Sequence, residues 1–232
     1  ILQAFERTRV VACELVLVSG PSRVGKSAVI QELNKPVAQM RGNIIRGKSD
    51  RFNSDTPFAS LLQALAGFAQ LLLTEGEGSL RTWKQRILAA LGRRGQILID
   101  VIPELELLIG PQPAVAPLAP RDAANRFQAV LRDLLQVIAG PQRPLVIVLD
   151  DLHWSDAATL KLVENLLVDP ELNHQLWVAS YRSEEVASTD LLAQTIEQIM
   201  GGDARVGSVA LQALTLKEVY AFVRDTLRPT SQ

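Results

Sequence analysis

Eight consecutive residues, Gly20-Pro21-Ser22-Arg23-Val24-Gly25-Lys26-Ser27, carry the spacing G-x-x-x-x-G-K-[ST] and directly follow the run Glu14-Leu15-Val16-Leu17-Val18-Ser19. That order reads as a phosphate-binding loop set between a strand and a helix. Glycines at both ends let the backbone curl round an anion, so that amides from about Val24 to Ala28 point into one phosphate-sized hollow. The helix expected from Lys26 onward brings the positive end of its dipole to the same place. Lys26 would neutralise charge on the β- and γ-phosphates, and the Ser27 hydroxyl would take one coordination position on Mg²⁺. The expected phosphate-contacting set is therefore Gly20, Ser22, Arg23, Val24, Gly25, Lys26, Ser27 and Ala28. The alternative is a glycine-rich turn that binds nothing. The strand, the spacing, the Lys-Ser pair and the helix in the right order argue against it.

A metal needs a second partner, and the run Leu145-Val146-Ile147-Val148-Leu149 ending in Asp150-Asp151 offers one. A continuous apolar run is what a strand covered on both faces of a parallel sheet looks like. A carboxylate at its carboxyl end sits on the rim where open α/β sheets bind ligands. Asp150 would hold the metal, mostly through water, and Asp151 would orient or polarise the attacking water. Another buried strand, Gln175–Ser180, is followed by Tyr181-Arg182, which points Arg182 to the same rim. There it would sense the γ-phosphate, since a guanidinium matches phosphate in a two-pronged fashion; an ordinary surface arginine is the alternative. His153 is read as a loop histidine making a hydrogen bond. No zinc site is implied, because His174 and Cys13 lack ligand spacing with it.

The rest of the chain must position these groups. Its 232 residues, 47% hydrophobic, suffice for a full core. A formal charge of −1 gives no basic surface for a nucleic acid. The lack of a long apolar segment argues against a membrane span, and a single cysteine excludes an internal disulfide; both fit a cytoplasmic protein. Ile1 to Val11 is expected as a helix on the sheet edge, with Leu2, Phe5 and Arg9 on related faces. Ser27–Lys35 is expected as the helix after the loop, kinked or ended by Pro36. A second strand fits Asn43–Lys48, with a polar continuation through Asn53 and a helix cap at Thr56-Pro57.

Helical periodicity then places Leu61, Leu65, Phe68 and Leu72 on one stripe of Phe58–Leu73. Gly76 and Gly78 break that helix, and Ser79–Leu91 follows with Leu80, Trp83, Ile87 and Leu91 aligned, Trp83 as a core anchor. Gln96–Ile109 predicts two short buried helices, the proline-rich stretch 110–120 an extended strap, and Arg121–Ala139 a helix buried through Phe127, Val130, Leu131, Leu134 and Ile138. Ser155 or Asp156 would cap the helix Ala157–Leu167. Thr189–Met200 is a further helix and Val206–Leu211 a last strand. The final helix opens with Thr215 and Glu218 in capping-box spacing.

Taken together, these residues resemble the STAND-type branch of AAA-related P-loop ATPases. They are most similar to the ATPase module embedded in large bacterial multi-domain sensor kinases, where a serine/threonine-kinase-like region precedes it and GAF, PAS or histidine-kinase regions follow. The likeness rests on the phosphate loop and on Arg46-Gly47-Lys48. It also rests on Asp100-Val101-Ile102-Pro103-Glu104-Leu105, Gly110-Pro111-Gln112-Pro113, Leu149-Asp150-Asp151-Leu152-His153-Trp154 and Tyr181-Arg182. It covers nearly the whole chain. It implies a three-layer α/β/α fold with a mainly parallel five-stranded sheet, a core over 1–212 with a helical insertion at about 58–140, and the start of a helical lid at 213–232. Expected ligands are ATP or ADP with Mg²⁺, and expected partners are neighbouring signalling domains of the same polypeptide and self-association. Arg23 departs from the family, standing where a glycine is common, and puts an extra cation beside the phosphates. An entry segment before Ile1 and the rest of the lid beyond Gln232 are expected in a longer parent protein.

The function implied is a slow ATPase used as a signalling switch, with Lys26, Asp151 and Arg182 as its catalytic residues. A kinase passing the γ-phosphoryl group to an acceptor would need an acceptor pocket with its own base, and the sequence points to none. A scaffold that binds nucleotide without hydrolysing it is the third class. The residues do not distinguish adenine from guanine; only the resemblance favours ATP.

Overall fold

Two features of the chain dictate the architecture: short apolar runs too uniform to be amphipathic, and long helices each with one apolar stripe. In the computed structural model, which describes residues 1–11, 13–52, 56–187 and 189–227, the runs become strands. They are β1 (Cys13–Ser19), β2 (Asn43–Lys48), β3 (Leu145–Asp150), β4 (Gln175–Tyr181) and β5 (Arg205–Ala210). They form one sheet in the order β2-β3-β4-β1-β5, and every pairing is parallel. All carboxyl ends therefore lie on one rim.

Side chains alternate between the two faces of the sheet. Leu15, Leu17, Ile147, Leu149, Trp177 and Ala179 belong to one apolar cluster, and Val16, Val18, Val146, Val148, Leu176 and Val178 to another. The second face is covered by α1 (Leu2–Val11), α2 (Lys26–Gln31) and α3 (Asn34–Gln39). The first packs against the helices between β2 and β3 and against two later ones. Those between the strands are α4 (Ala59–Leu73), α5 (Glu77–Leu91), α6 (Gly95–Ile99), α7 (Glu104–Ile109) and α8 (Pro120–Ile138). The later ones are α9 (Ala157–Leu167) and α10 (Leu191–Gly201); α11 (Leu216–Leu227) follows β5. This is the three-layer α/β/α arrangement expected from the sequence.

The expected stripes are the buried ones, except that Leu80 of α5 and Phe127 of α8 are only partly buried against the core. Leu61, Leu65, Phe68 and Leu72 of α4 are buried, as are Trp83, Ile87 and Leu91 of α5. Trp83 meets Phe68 edge-on with ring centroids 5.5 Å apart, which makes it a core anchor, and full burial of so large a ring contributes roughly 3 kcal/mol. Residues 110–119 run without regular structure as a strap, joined to α8 where Arg126 donates to the Ala116 carbonyl at 2.8 Å.

Several local expectations are corrected. Pro36 neither kinks nor ends the helix after the loop. That helix stops at Gln31, and Pro36 lies in the first turn of α3, where a missing N–H costs nothing. Helix α1 packs on the middle of the sheet, over β1 and β4, rather than on its edge. Its buried side chains are Ala4, Phe5 and Thr8, while Leu2 is half exposed. Gly78 lies within the first turn of α5 and breaks nothing; only Gly76 precedes it. Thr56-Pro57 does not cap α4. Phe58 occupies that position in the left-handed region, φ 64°, and its amide donates to Thr159 Oγ1 at 2.9 Å, tying α4 to α9. Asp156, not Ser155, caps α9, accepting the Thr159 amide at 2.9 Å. Asn53, expected to continue the polar segment after β2, lies outside the described residues.

Gly47 fixes how closely α4 approaches the sheet. A Cβ built on it would stand 1.7 Å from the backbone oxygen of Ser60. Backbone cannot yield as a flexible side chain can, so the helix would have to lift off β2. Gly47→Ala is expected to cost about 2 to 3 kcal/mol, read as a lower denaturant midpoint.

Candidate functional site

Parallel pairing brings the chemistry together. In register, Lys48 at the end of β2 pairs with Asp150 at the end of β3, and Ser19 at the end of β1 pairs with Tyr181 at the end of β4. The residues that follow the last three ends are Asp151, Gly20 and Arg182. One cavity of about 280 Å³ is lined by Ser22, Arg23, Gly25, Lys26, Ser27, Lys48, Asp150, Asp151 and Arg182. Ser27 and Asp150, which are 123 positions apart in sequence, thus face the same space. Four cations set against two carboxylates give the lining a positive excess suited to a polyphosphate.

Within the loop, Gly25 has φ 105°, a conformation that L side chains rarely adopt. It turns the chain into α2, whose start carries no side-chain cap. The first amides of a helix lack intrahelical acceptors, so those from Gly25 to Ala28 are available to an anion. Val24 is less available, since its amide donates to the Pro21 carbonyl at 3.4 Å. The dipole contribution comes from this first turn alone, because α2 is only 6 residues long. The Lys26 ammonium is buried and donates to the carbonyls of Gly20 and Pro21, each at 2.8 Å. Arg23 has φ 62°, which explains why a glycine is the easier residue there.

The two aspartates have different surroundings. Asp150 accepts a hydrogen bond from the buried Ser180 hydroxyl. Asp151 sits in the left-handed region, φ 54° and ψ 43°, and faces two cations: Lys48 Nζ at 3.3 Å and Arg182 Nε at 3.6 Å. Arg182 also donates to Glu185, and that bond raises its already high pKa. His153 does not make the hydrogen bond expected of it. Its side chain is 2% exposed, neither ring nitrogen has a hydrogen-bond partner, and Nε2 lies 3.3 Å from Glu185 Oε2. Burial pushes its pKa below the ordinary 6.5, against the pull of Asp151 and Glu185, so the ring is neutral. Burial also pushes the Cys13 thiol up to about 12, which makes it unreactive.

The family model described as "AAA ATPase domain" matches residues 1–178. The chain belongs to the AAA ATPase domain family. Among curated proteins, "Hybrid signal transduction histidine kinase G" of Dictyostelium discoideum is 33% identical over 167 residues, which is 72% of this chain. The match spans only 5% of that protein, so this AAA ATPase domain resembles one segment of a much longer histidine kinase. AAA ATPase domains in general bind nucleotide and hydrolyse it. Among the described residues no helix is long and apolar enough to cross a membrane, and no group of three His, Cys, Asp or Glu could hold a metal by itself.

Sequence reasoning passed over two side chains. Lys48 is named in the sequence reading only as the end of a strand and as part of the resemblance, yet its place at a strand end is the signal that singles out Arg182. Glu184, whose carboxylate accepts the Ser22 amide at 2.7 Å across 162 residues, carries no such signal.

Proposed function

We propose that this AAA ATPase domain binds ATP with Mg²⁺, hydrolyses it slowly, and serves as a switch within a larger STAND-type signalling protein. The observation that carries this reading is the shared cavity of Lys26, Ser27, Asp150, Asp151 and Arg182. The donor set fits the metal. A hydroxyl and a carboxylate are hard oxygen ligands, and Mg²⁺ binds through one or two of these together with phosphate oxygens. When bound, the metal supplies charge neutralisation across the phosphates. The loop amides orient the nucleotide and Lys26 balances its charge. Asp151, facing the cavity, accepts a proton from water, and Arg182 meets charge on the terminal phosphate.

The switch would rest on population shift: groups that touch only the terminal phosphate favour one conformation with ATP and another with ADP. The segment after β5 is the one we propose transmits this. Leu211 donates its amide to Ser19 at 2.8 Å, beside the loop, and leads toward α11. The Thr215–Glu218 capping box defines where α11 starts. We take α11 as the first helix of a lid over a core spanning 1–212, and helices α4 to α8 as an insertion. Likeness to a segment of a hybrid histidine kinase supports a place among signalling domains of one polypeptide.

Thermal-shift titration with ATP, ADP and GTP, with and without Mg²⁺, tests the reading. The expected result is a higher melting temperature with ATP that depends on Mg²⁺, with phosphate released in the absence of any acceptor. No shift with any nucleotide would overturn it.

A further inference from the structure

After Arg182 the chain makes a single 3-10 turn, Ser183–Glu185, which meets the phosphate loop through Glu184. That contact is the Ser22 amide donating to Glu184 Oε1 at 2.7 Å. This amide first, then Glu184's own backbone amide, and after them Lys26 and Arg182, keep the Glu184 carboxyl below the usual carboxylate range. Those two cations are the ones the proposed reaction brings to the terminal phosphate. Ser22 lies four residues before Lys26, ahead of the Gly25–Ala28 amides that start α2. In loops of this spacing the backbone cradles the inner phosphates and the lysine reaches toward the outer one. An anion fixed at Ser22, between the loop and Arg182, thus stands on the path of the outermost phosphate.

We propose that Glu184 is an internal stand-in for the terminal phosphate: it competes with a nucleoside triphosphate for the mouth of the loop and leaves a diphosphate almost unaffected. Glu184 is then a specificity-determining residue, and ATP binding must expel its carboxylate. Neither Asp150, which is held by Ser180, nor Asp151, which is held by Lys48 and Arg182, touches the loop backbone. The inference rests on the nucleotide reading above.

Glu184→Gln keeps the side chain's size and removes its charge at an exposed position. Calorimetric titration of this protein and the variant with Mg-ATP and with Mg-ADP tests the proposal. The variant should bind ATP roughly threefold to tenfold more tightly, a gain that shrinks as salt is raised, with ADP affinity nearly constant. If both proteins bind nucleotide with the same ATP-to-ADP ratio, or if the variant binds ATP more weakly, Glu184 has no such role and the phosphate-loop reading stands. If neither protein binds any nucleotide, that reading falls and this inference with it.

Discussion

Lys26→Ala should remove nucleotide binding to below what calorimetry detects, a loss of at least roughly a hundredfold, or about 3 kcal/mol. The reason lies in where the ammonium sits. It is buried at the base of the loop, and its two hydrogen bonds run to the Gly20 and Pro21 carbonyls, 2.8 Å each. Those carbonyls hold the charge in the loop without neutralising it, so a phosphate arriving at the Gly25–Ala28 amides meets a full cation nearby. Alanine takes away that charge and leaves the two carbonyls to water. The fold should survive the change, because the loss is of two bonds at a cavity wall and amounts to about 1–2 kcal/mol. Calorimetry and nucleotide-free melting curves together separate the two effects. Unchanged affinity in a folded variant would refute the site.

What could be read from the sequence, and what could not, follows from the range of the interactions involved. The central strands were legible because burial on both faces writes them as unbroken runs, as in Leu145–Leu149. Acids and cations at strand ends were legible because parallel pairing puts every such end on one rim, so Asp150, Asp151 and Arg182 could be grouped before any coordinates. The stripes of α4, α5 and α8 were legible for the same local reason. Helix α1 was misplaced because its contact surface is Ala4, Phe5 and Thr8, with the threonine hydroxyl donating to the Phe5 carbonyl at 2.8 Å. A small residue and an internally satisfied polar one do not mark an apolar face. Pro36 was misread because local rules say where a proline cannot sit, not whether a new helix starts just before it. Glu184 was invisible because its partner is a backbone amide 162 residues away, and no side-chain pattern records an amide.

The two aspartates, to which the proposed reaction gives different roles, have different surroundings. Asp150 is bonded to Ser180 at the end of β3 and shares its cavity with Ser27. Asp151, turned aside by its left-handed backbone, is held between Lys48 and Arg182, cations that an incoming terminal phosphate would also attract. In the proposed reaction, phosphate binding would loosen that hold and free the carboxylate for water. Asp151→Asn keeps the shape, and asparagine tolerates φ 54° as well as aspartate does. Mg-dependent ATP affinity should therefore stay within a few-fold, while phosphate release falls roughly a hundredfold to a thousandfold, because an amide cannot take the proton. Asp150→Asn should do the reverse and weaken the Mg²⁺ dependence of binding. Single-turnover phosphate release measured beside calorimetry distinguishes the two. If Asp151→Asn instead abolished Mg-dependent binding, Asp151 would be the residue that meets the cation, and its ion pairs with Lys48 and Arg182 would be what the metal displaces.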